Sequence, residues 1–261
     1  MSQIKILALG DVVGESSVEY IRRRLGRFCD GNSIDFTVVN GENACMGQGN
    51  GLDVVSARTI LQSGADVITS GNHIWHKKDM REYLDSTDLI IRPANYQSTM
   101  PGQGYTKINC QGYTMLVINV LGVIYLEPLD SPFSTVEQIL EREEGKYDFA
   151  ILDIHAEATS EKYAIARYFD GRIHAIFGTH THIPTADNQV LKKGSGFVCD
   201  LGMCGPVDSI LGVKNECIIE RLVNGVQQKF ELAEGEIEAN GVVFTIDTDS
   251  KKCLSVERIK F

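Results

Sequence analysis

The segment Ile4-Lys5-Ile6-Leu7-Ala8-Leu9-Gly10-Asp11 is a short apolar run that ends in a glycine and a carboxylate. A run of this length and composition predicts a buried β-strand over residues 4–9. The same arrangement recurs four times, because strands predicted at residues 36–39, 67–69, 149–153 and 173–177 also run into polar side chains. These side chains are, in order, Glu42 and Asn43; Asn72 and His73; His155; and His180 and His182.

Helical patterns alternate with these strands. Helices are predicted at residues 16–29, 53–62, 77–84, 134–143 and 160–168, and a β-hairpin at residues 105–119 turns at Gln111-Gly112. A strand is also predicted at residues 89–91, and the region beyond Val190 looks like β-structure at residues 197–199, 217–222, 241–247 and 253–259. Alternating helices and strands followed by a strand-rich end predict an α/β fold of layered sheets flanked by helices. In such sheets ligands bind outside the carboxyl ends of the strands, so the polar clusters should converge in space.

The converging side chains are typical metal ligands. The set contains two carboxylates, two amide oxygens and three imidazoles, which exceeds what one tetrahedral zinc ion can use. Seven mixed nitrogen and oxygen donors suit a pair of cations such as Mn, Fe, Co or Zn. Paired cations assist in-line displacements at phosphorus, and Glu42 is the candidate bridge between them. The predicted ligands are Asp11, Glu42, Asn43, Asn72, His155, His180 and His182.

The order of these motifs resembles the calcineurin-like metallophosphoesterase superfamily and, more narrowly, the bacterial YmdB-type phosphodiesterases. The resemblance covers residues 4 to about 213. It is carried by Gly10-Asp11, Asn40-Gly41-Glu42-Asn43-Ala44, Gly71-Asn72-His73, Arg92-Pro93-Ala94-Asn95-Tyr96, His155-Ala156-Glu157-Ala158-Thr159-Ser160-Glu161-Lys162, Gly178-Thr179-His180-Thr181-His182, Thr185-Ala186-Asp187 and residues 200–212.

The resemblance implies a four-layer αββα sandwich with two mixed β-sheets, formed as one domain over residues 1–261. A small cap element within residues 77–146 is compatible with the sequence. The resemblance also implies that Asp11, Glu42, Asn43 and His182 hold one metal, and that Glu42, Asn72, His155 and His180 hold the other. His73 would stand beside the leaving oxygen. The implied activity is hydrolysis of phosphodiesters, including cyclic nucleotides such as 2′,3′-cyclic AMP.

One position departs from the wider superfamily, whose first motif is usually Asp-x-His. Here Val13 stands two residues after Asp11, and Asn43 is the candidate replacement for the missing imidazole. A site richer in oxygen donors favours iron or manganese over zinc.

The mechanistic hypothesis is attack on phosphorus by a hydroxide bridging the two metals, with His73 protonating the departing alkoxide. Three alternatives remain open: a phosphomonoesterase or nucleotidase, a regulatory metalloprotein that binds a nucleotide with slow turnover, and, with a poorer fit to the ligand order, a two-metal amide hydrolase.

Four further residues are candidate substrate contacts. Arg92 and Asn95 either face the substrate or organise the turn around Pro93. Thr159 and Ser160 open a helix whose backbone N–H groups could meet an anion, although Glu157 and Glu161 oppose this. The glycine-rich residues 47–51 predict a flexible loop near the site.

Composition narrows the class of protein. The net charge of −10 makes broad nucleic-acid binding unfavourable, so the expected partner is a small phosphodiester or cyclic nucleotide. No stretch approaches the ~20 apolar residues that span a bilayer. Seven scattered cysteines are expected to be reduced thiols, so a cytoplasmic enzyme is predicted. The sequence leaves open whether it forms a homo-oligomer.

Overall fold

The computed structural model describes residues 2–45, 50–227 and 229–261. Within them the chain forms two mixed β-sheets and six α-helices. The helices are α1 (Gly14–Asn32), α2 (Val54–Gln62), α3 (Lys78–Tyr83), α4 (Pro132–Arg142), α5 (Thr159–Tyr168) and α6 (Asn215–Asn224), and a 3₁₀ turn at Leu84–Ser86 follows α3. No described helix has the length and apolar character that crossing a membrane requires.

The first sheet has the strand order β2-β11-β12-β1-β3-β4, and β13 lies beside β12. Its strands are β1 (Gln3–Leu9), β2 (Asp11–Val12), β3 (Phe36–Asn40), β4 (Val67–Thr69), β11 (Met203–Pro206), β12 (Ile237–Asp247) and β13 (Cys253–Lys260). The strands β1, β3 and β4 are parallel neighbours. Their carboxyl ends therefore meet at one edge of the sheet.

The second sheet has the order β5-β6-β7-β8-β10-β9. Its strands are β5 (Tyr105–Cys110), β6 (Tyr113–Leu121), β7 (Phe149–His155), β8 (Ala175–Thr179), β9 (Gln189–Val190) and β10 (Gly196–Val198). The strands β6, β7 and β8 are parallel, with His155 opposite Thr179 in the register.

Three apolar layers separate four layers of secondary structure. Because side chains alternate along a strand, Leu7 and Leu9 pack beneath α1 and α2, whereas Ile6 faces the second sheet. On the second sheet, Val117 faces inward and Ile118 packs against α4 and α5. The predicted four-layer αββα sandwich with two mixed sheets is therefore confirmed.

The hairpin prediction is also confirmed. β5 and β6 pair from Tyr105↔Ile118 to Cys110↔Tyr113, and the two turn residues both have positive φ, 51° at Gln111 and 87° at Gly112. Two successive positive φ angles are typical of a tight hairpin turn that matches the strand twist, and glycine adopts one at little cost.

The prediction of β-structure at residues 217–222 is wrong, because this segment lies within α6. The Ile- and Val-rich composition suggested a strand, but Glu216 and Glu220 recur at helical spacing. Gly225 ends the helix with φ 68°, the left-handed conformation common after a helix C-terminus. Residues 89–91 likewise form two isolated bridges, Ile68↔Ile90 and Ile91↔Gln103, in place of the predicted strand.

The region proposed to contain a cap contributes ordinary elements of the sandwich. Residues 77–146 include α3, both strands of the hairpin and α4. The single domain and the small cap element stay predictions.

Candidate active site

The predicted ligands lie on loops that leave the carboxyl ends of five strands. Asp11 follows β1, Glu42 follows β3 and Asn72 follows β4 on the first sheet. His155 ends β7, and the loop after β8 carries His180 and His182 on the second sheet. Because the two sheets pack face to face, the two sets of loops meet at one edge of the sandwich.

One group of contacts joins Asp11, Asn43 and His182. Asp11 Oδ1 lies 3.9 Å from His182 Nε2, and Asn43 Nδ2 lies 3.3 Å from the same nitrogen. The other ring nitrogen of His182, Nδ1, lies 3.1 Å from the carbonyl oxygen of Leu211. A hydrogen bond from Nδ1 to this carbonyl leaves Nε2 without a proton and free to act as a donor atom to a cation.

A second group joins Glu42, His155 and His180. Glu42 Oε1 lies 3.7 Å from His155 Nε2, which in turn lies 3.1 Å from His180 Nδ1. Asp11 connects the two groups, because its Oδ1 lies 3.8 Å from His155 Nδ1 and its Oδ2 accepts a hydrogen bond from the backbone N–H of His180.

His73 stands at the edge of both groups. Its Nδ1 lies 3.2 Å from Asn43 Oδ1 and 3.2 Å from Glu42 Oε1, and its backbone N–H donates to Glu42 Oε1 at 2.8 Å. The His73 side chain is 28% exposed, whereas that of Glu42 is 1% exposed. Its position lets His73 reach both the buried carboxylate and a molecule entering from solvent.

Three buried oxygen atoms of this site lack a hydrogen-bond partner among the described residues. They belong to Asp11 (Oδ1), Glu42 (Oε2) and Asn72 (Oδ1). Buried polar atoms are normally paired, and an unpaired one in a native fold indicates an absent water, ion or ligand. Three such oxygens beside three imidazoles fit the donor chemistry of bound cations.

The ring orientations do not form a complete metal cage. No group of three or more His, Cys, Asp or Glu side chains within the described ranges stands ready to hold a metal. One reason that the cage is incomplete is that His155 Nε2 and His180 Nδ1 are directed at each other, 3.1 Å apart. The unpaired oxygens still indicate bound cations, because a small imidazole rotation redirects a nitrogen, whereas a buried carboxylate oxygen needs a partner.

Burial is the main cause of the pKa shifts at this site. It raises the pKa of Asp11 to about 7, with a further contribution from the negative charge of Asp200. Burial also raises the pKa of Glu42 well above its ordinary value, and it lowers the pKa of His155 well below its own. Burial and the neighbouring His76, His180 and His182 lower the pKa of His73 to about 4. Without a cation, the pocket therefore favours neutral forms of both acids and bases.

The loop that carries His180 and His182 is strained and firmly anchored. Both residues have positive φ, 97° and 65°, which is rare for residues other than glycine and is concentrated at functional sites. The buried Lys162 ammonium donates to the carbonyl oxygen of Thr179 and to Asp200 Oδ2, both at 2.7 Å. Asp200 Oδ2 also accepts from the Thr181 backbone N–H and hydroxyl.

The glycines before these loops are required for space. None of Gly10, Gly41, Gly71 and Gly178 has a positive φ, so the left-handed conformation is not what requires glycine at these positions. A Cβ on Gly71 would overlap the His155 ring, and one on Gly178 would overlap the backbone at Cys199.

A cavity of about 180 Å³ opens above these side chains. Its floor contains Glu42, Asn43, His73, His155, His180 and His182, and its walls include Val13, Leu211, Val213, Phe230 and Leu232. A larger cleft of about 660 Å³ shares Phe230, Glu231 and Leu232 as a common wall, but the predicted ligands do not line it.

The predicted substrate residues are placed differently. Arg92 and Asn95 are buried and bonded to nearby backbone, Arg92 to the Pro93 carbonyl and Asn95 to both the N–H and the carbonyl of Leu121. Neither side chain lines the cavity. The geometry therefore favours the interpretation that both residues organise the turn around Pro93.

Thr159 and Ser160 are exposed at the start of α5, with Ala158 at the helix N-cap. They lie close in sequence to Glu157, whose carboxylate is 3.1 Å from His180 Nε2. Their role in binding substrate stays a prediction. Residues 47–49 of the glycine-rich loop predicted near the site at residues 47–51 lie outside the described residues.

Two buried acids near this site were not assigned a role from the sequence. Asp153 is connected to His155 through the hydroxyl of Thr179, and Asp200 anchors the histidine loop as described above. A charged residue inside the apolar strand Phe149–His155 is the signal that could have identified Asp153, because buried carboxylates are rare unless they are paired.

Comparison with known proteins identifies the family. The model of the family described as YmdB-like protein matches residues 7–259. The chain belongs to the YmdB-like family. A curated relative from Bacillus subtilis (strain 168), named 2′,3′-cyclic-nucleotide 2′-phosphodiesterase, is 41% identical over 256 residues, covering 98% of this chain and 96% of the relative.

Two solved structures share the whole fold of this YmdB-like chain. A hypothetical protein from Thermus thermophilus superposes with a TM-score of 0.92 at 34% identity, covering 99% of both chains. A novel phosphatase from Mycoplasma pneumoniae superposes with a TM-score of 0.93 at 32% identity, covering 100% of this chain and 94% of that one. The identification as a YmdB-type member of the metallophosphoesterase superfamily, and hence as an enzyme of the phosphoesterase class, is therefore confirmed.

Proposed function

We propose that this protein is a dinuclear metal phosphodiesterase whose substrates are small phosphodiesters, with 2′,3′-cyclic nucleotides as the leading class. The observation that carries the proposal is the meeting of Asp11, Glu42, Asn43 and three histidines at one edge of the sandwich, together with three buried oxygens that have no hydrogen-bond partner among the described residues. The Bacillus relative named as a cyclic-nucleotide phosphodiesterase supports the choice of substrate.

The two contact groups suggest how the cations would be shared. Asp11, Asn43 and His182 would hold one of them, and Asn72, His155 and His180 would hold the other. Glu42 would contribute to both, because Oε1 faces the second group while Oε2 has no hydrogen-bond partner in the described part of the chain. This oxygen-rich set supports iron or manganese over zinc.

Bound cations would polarise the phosphoryl oxygens and lower the pKa of an attacking water. The protein's own side chains would orient the metal ligands and supply a proton to the leaving group. His73 is the residue that would protonate the departing oxygen, because its imidazole is 28% exposed and lies beside the buried Glu42 carboxylate. The low pKa of His73 is chiefly a consequence of burial, and a bound phosphodiester anion would raise it.

The walls of the cavity favour an ester with an organic group on each side of phosphorus. Phe230 and Leu232 present apolar surface beside the polar floor, and Phe230 is 44% exposed. A phosphodiester can place its second organic group against this surface. A phosphomonoester has no second organic group and gains nothing from it.

The test is a substrate panel on protein of measured metal content. With two equivalents of Mn²⁺ or Fe²⁺ per chain, we expect turnover of bis-p-nitrophenyl phosphate and 2′,3′-cyclic AMP to exceed that of p-nitrophenyl phosphate. A preference for the monoester would favour a phosphatase or nucleotidase. Full metal occupancy with tight nucleotide binding and negligible turnover would favour a regulatory metalloprotein. Its cytoplasmic location and any homo-oligomeric state stay predictions.

A variant of Asp11 should show how much the buried negative charge lowers the stability of the metal-free protein. Burial raises the pKa of the Asp11 carboxyl from its ordinary value of 3.8 to about 7 in the folded protein. The folded state binds this proton more tightly than the unfolded chain does, so the protonated carboxyl stabilises the fold at low pH. That stabilisation is lost as the pH rises towards 7. In EDTA at pH 8, Asp11→Asn should therefore be more stable than the wild type, by up to about 4 kcal/mol, since each pKa unit is worth ~1.4 kcal/mol. At pH 5 the wild-type carboxyl is protonated, and the difference should shrink.

Urea denaturation of both proteins at pH 5 and pH 8 measures this difference, and saturating Mn²⁺ should reverse the order at pH 8. A wild type that is as stable as the variant in EDTA at pH 8 would contradict an uncompensated charge at Asp11.

A further inference from the structure

Asp153 is the centre of a buried hydrogen-bond network beneath the candidate active site. It lies within β7, two residues before His155, and has no exposed surface. Its Oδ2 accepts hydrogen bonds from Asn40 Nδ2 at 2.9 Å and from Thr69 Oγ1 at 2.5 Å. Its Oδ1 accepts the hydroxyl proton of Thr179 at 2.8 Å. Three strands thus supply donors to one carboxylate.

Thr179 connects this carboxylate to the imidazole of His155. Its Oγ1 lies 2.9 Å from His155 Nδ1 and 3.3 Å from Asn40 Nδ2. A hydroxyl has one proton to donate and two lone pairs that accept. Because the proton goes to Asp153, both remaining contacts must be donated to Thr179, so His155 Nδ1 carries the hydrogen.

The tautomer of His155 follows from this direction. With the hydrogen on Nδ1, a neutral imidazole leaves Nε2 unprotonated, and Nε2 faces Glu42 Oε1 at 3.7 Å within the cavity. The opposite tautomer would direct an N–H at the same place and could not bind a cation there. Groups that fix the tautomer and ring orientation of a metal-binding histidine typically change metal affinity by 10–100-fold when removed.

We propose that Asp153 and Thr179 are positioning residues that hold His155 in the Nδ1–H tautomer and so prepare Nε2 as a metal ligand. This inference rests on the proposed function, since it assigns His155 to a cation. It extends that function by naming two residues that touch neither substrate nor metal. Asn40 and Thr69 complete the network by fixing the Asp153 carboxylate.

The experiment compares two substitutions at Thr179 in the full-length protein. Thr179→Val keeps the shape but removes the hydroxyl, whereas Thr179→Ser retains it. The matched control is Thr37→Val, which changes another buried strand threonine, whose hydroxyl makes a long contact of 3.5 Å to Cys29 Sγ. Mn²⁺ affinity is measured by competition with a fluorescent chelator, and the histidine tautomers of the metal-free proteins are measured by ¹⁵N NMR at pH 8.

We expect Thr179→Val to weaken at least one Mn²⁺ site by about 10–100-fold and to shift His155 away from the Nδ1–H form. Thr179→Ser and Thr37→Val should retain wild-type affinity and tautomer. Should Thr179→Val fail to fold, Asp153→Asn provides the same test, because its amide can donate to Thr179 and reverse the chain of donors.

Unchanged Mn²⁺ affinity and an unchanged His155 tautomer in the hydroxyl-free variant would overturn the inference. A wild-type protein that binds no Mn²⁺ would instead refute the proposed function, so the two failures are distinguishable. Equal losses in Thr179→Val and Thr179→Ser would also count against the inference, since they would indicate disturbed packing.

Discussion

Replacing His155 with alanine is expected to remove at least one metal ion per chain and to lower kcat/KM for a phosphodiester by about 10³–10⁵-fold. The magnitude follows from the several kcal/mol that a bound cation contributes to the transition state, with each 1.36 kcal/mol worth a factor of ten. His155 is 1% exposed and contacts groups from both halves of the site, Asp11 and Glu42 on the first sheet and His180 on the second. No neighbouring imidazole can therefore replace it without moving a loop.

The measurement is metal stoichiometry by mass spectrometry alongside steady-state kinetics on the same sample. His174→Ala is the control, because His174 is also largely removed from solvent but precedes β8, at the opposite end of that strand, where its Nδ1 accepts the Ala150 N–H. The control should lose some stability and keep both metals. Full metal content and near-normal turnover in His155→Ala would remove His155 from the ligand set.

Replacing His73 with alanine should have a different signature, a fall in kcat of about 10²–10⁴-fold with metal content retained. This range is the usual contribution of a positioned proton donor. The structure supports the distinction, since His73 is partly exposed and contacts Glu42 and Asn43 from the edge of the two contact groups.

Two measurements test whether His73 is a proton donor: the dependence of the loss on the leaving group, and the metal content of the variant. A substrate with a very acidic leaving group needs little protonation, so bis-p-nitrophenyl phosphate should be less affected by His73→Ala than 2′,3′-cyclic AMP. Equal losses for both substrates would argue against proton donation. Loss of metal from the variant would show that His73 is itself a ligand. His76→Ala, which removes an exposed imidazole whose ring centre lies 4.6 Å from that of His73, is the matched control.

The fold could be predicted where local pattern and tertiary environment agree. The apolar runs that became β1, β3, β4, β7 and β8 are buried on both faces, so composition alone identified them. The segment Asn215–Asn224 was misassigned because its Ile- and Val-rich core resembles a strand, and only the spacing of its glutamates and the glycine that follows indicate a helix.

The sequence by itself determined which residue types gather at the candidate site, because ligands at the carboxyl ends of parallel strands must share one edge of the sandwich. Only the tertiary structure decided their environment. Burial at that edge leaves oxygens of Asp11, Glu42 and Asn72 without a partner among the residues that the structure describes, and contacts across the two sheets join Asp153 to His155 through Thr179. Such contacts depend on how distant strands align and how far water is excluded, and neither quantity is encoded in any local stretch of the chain.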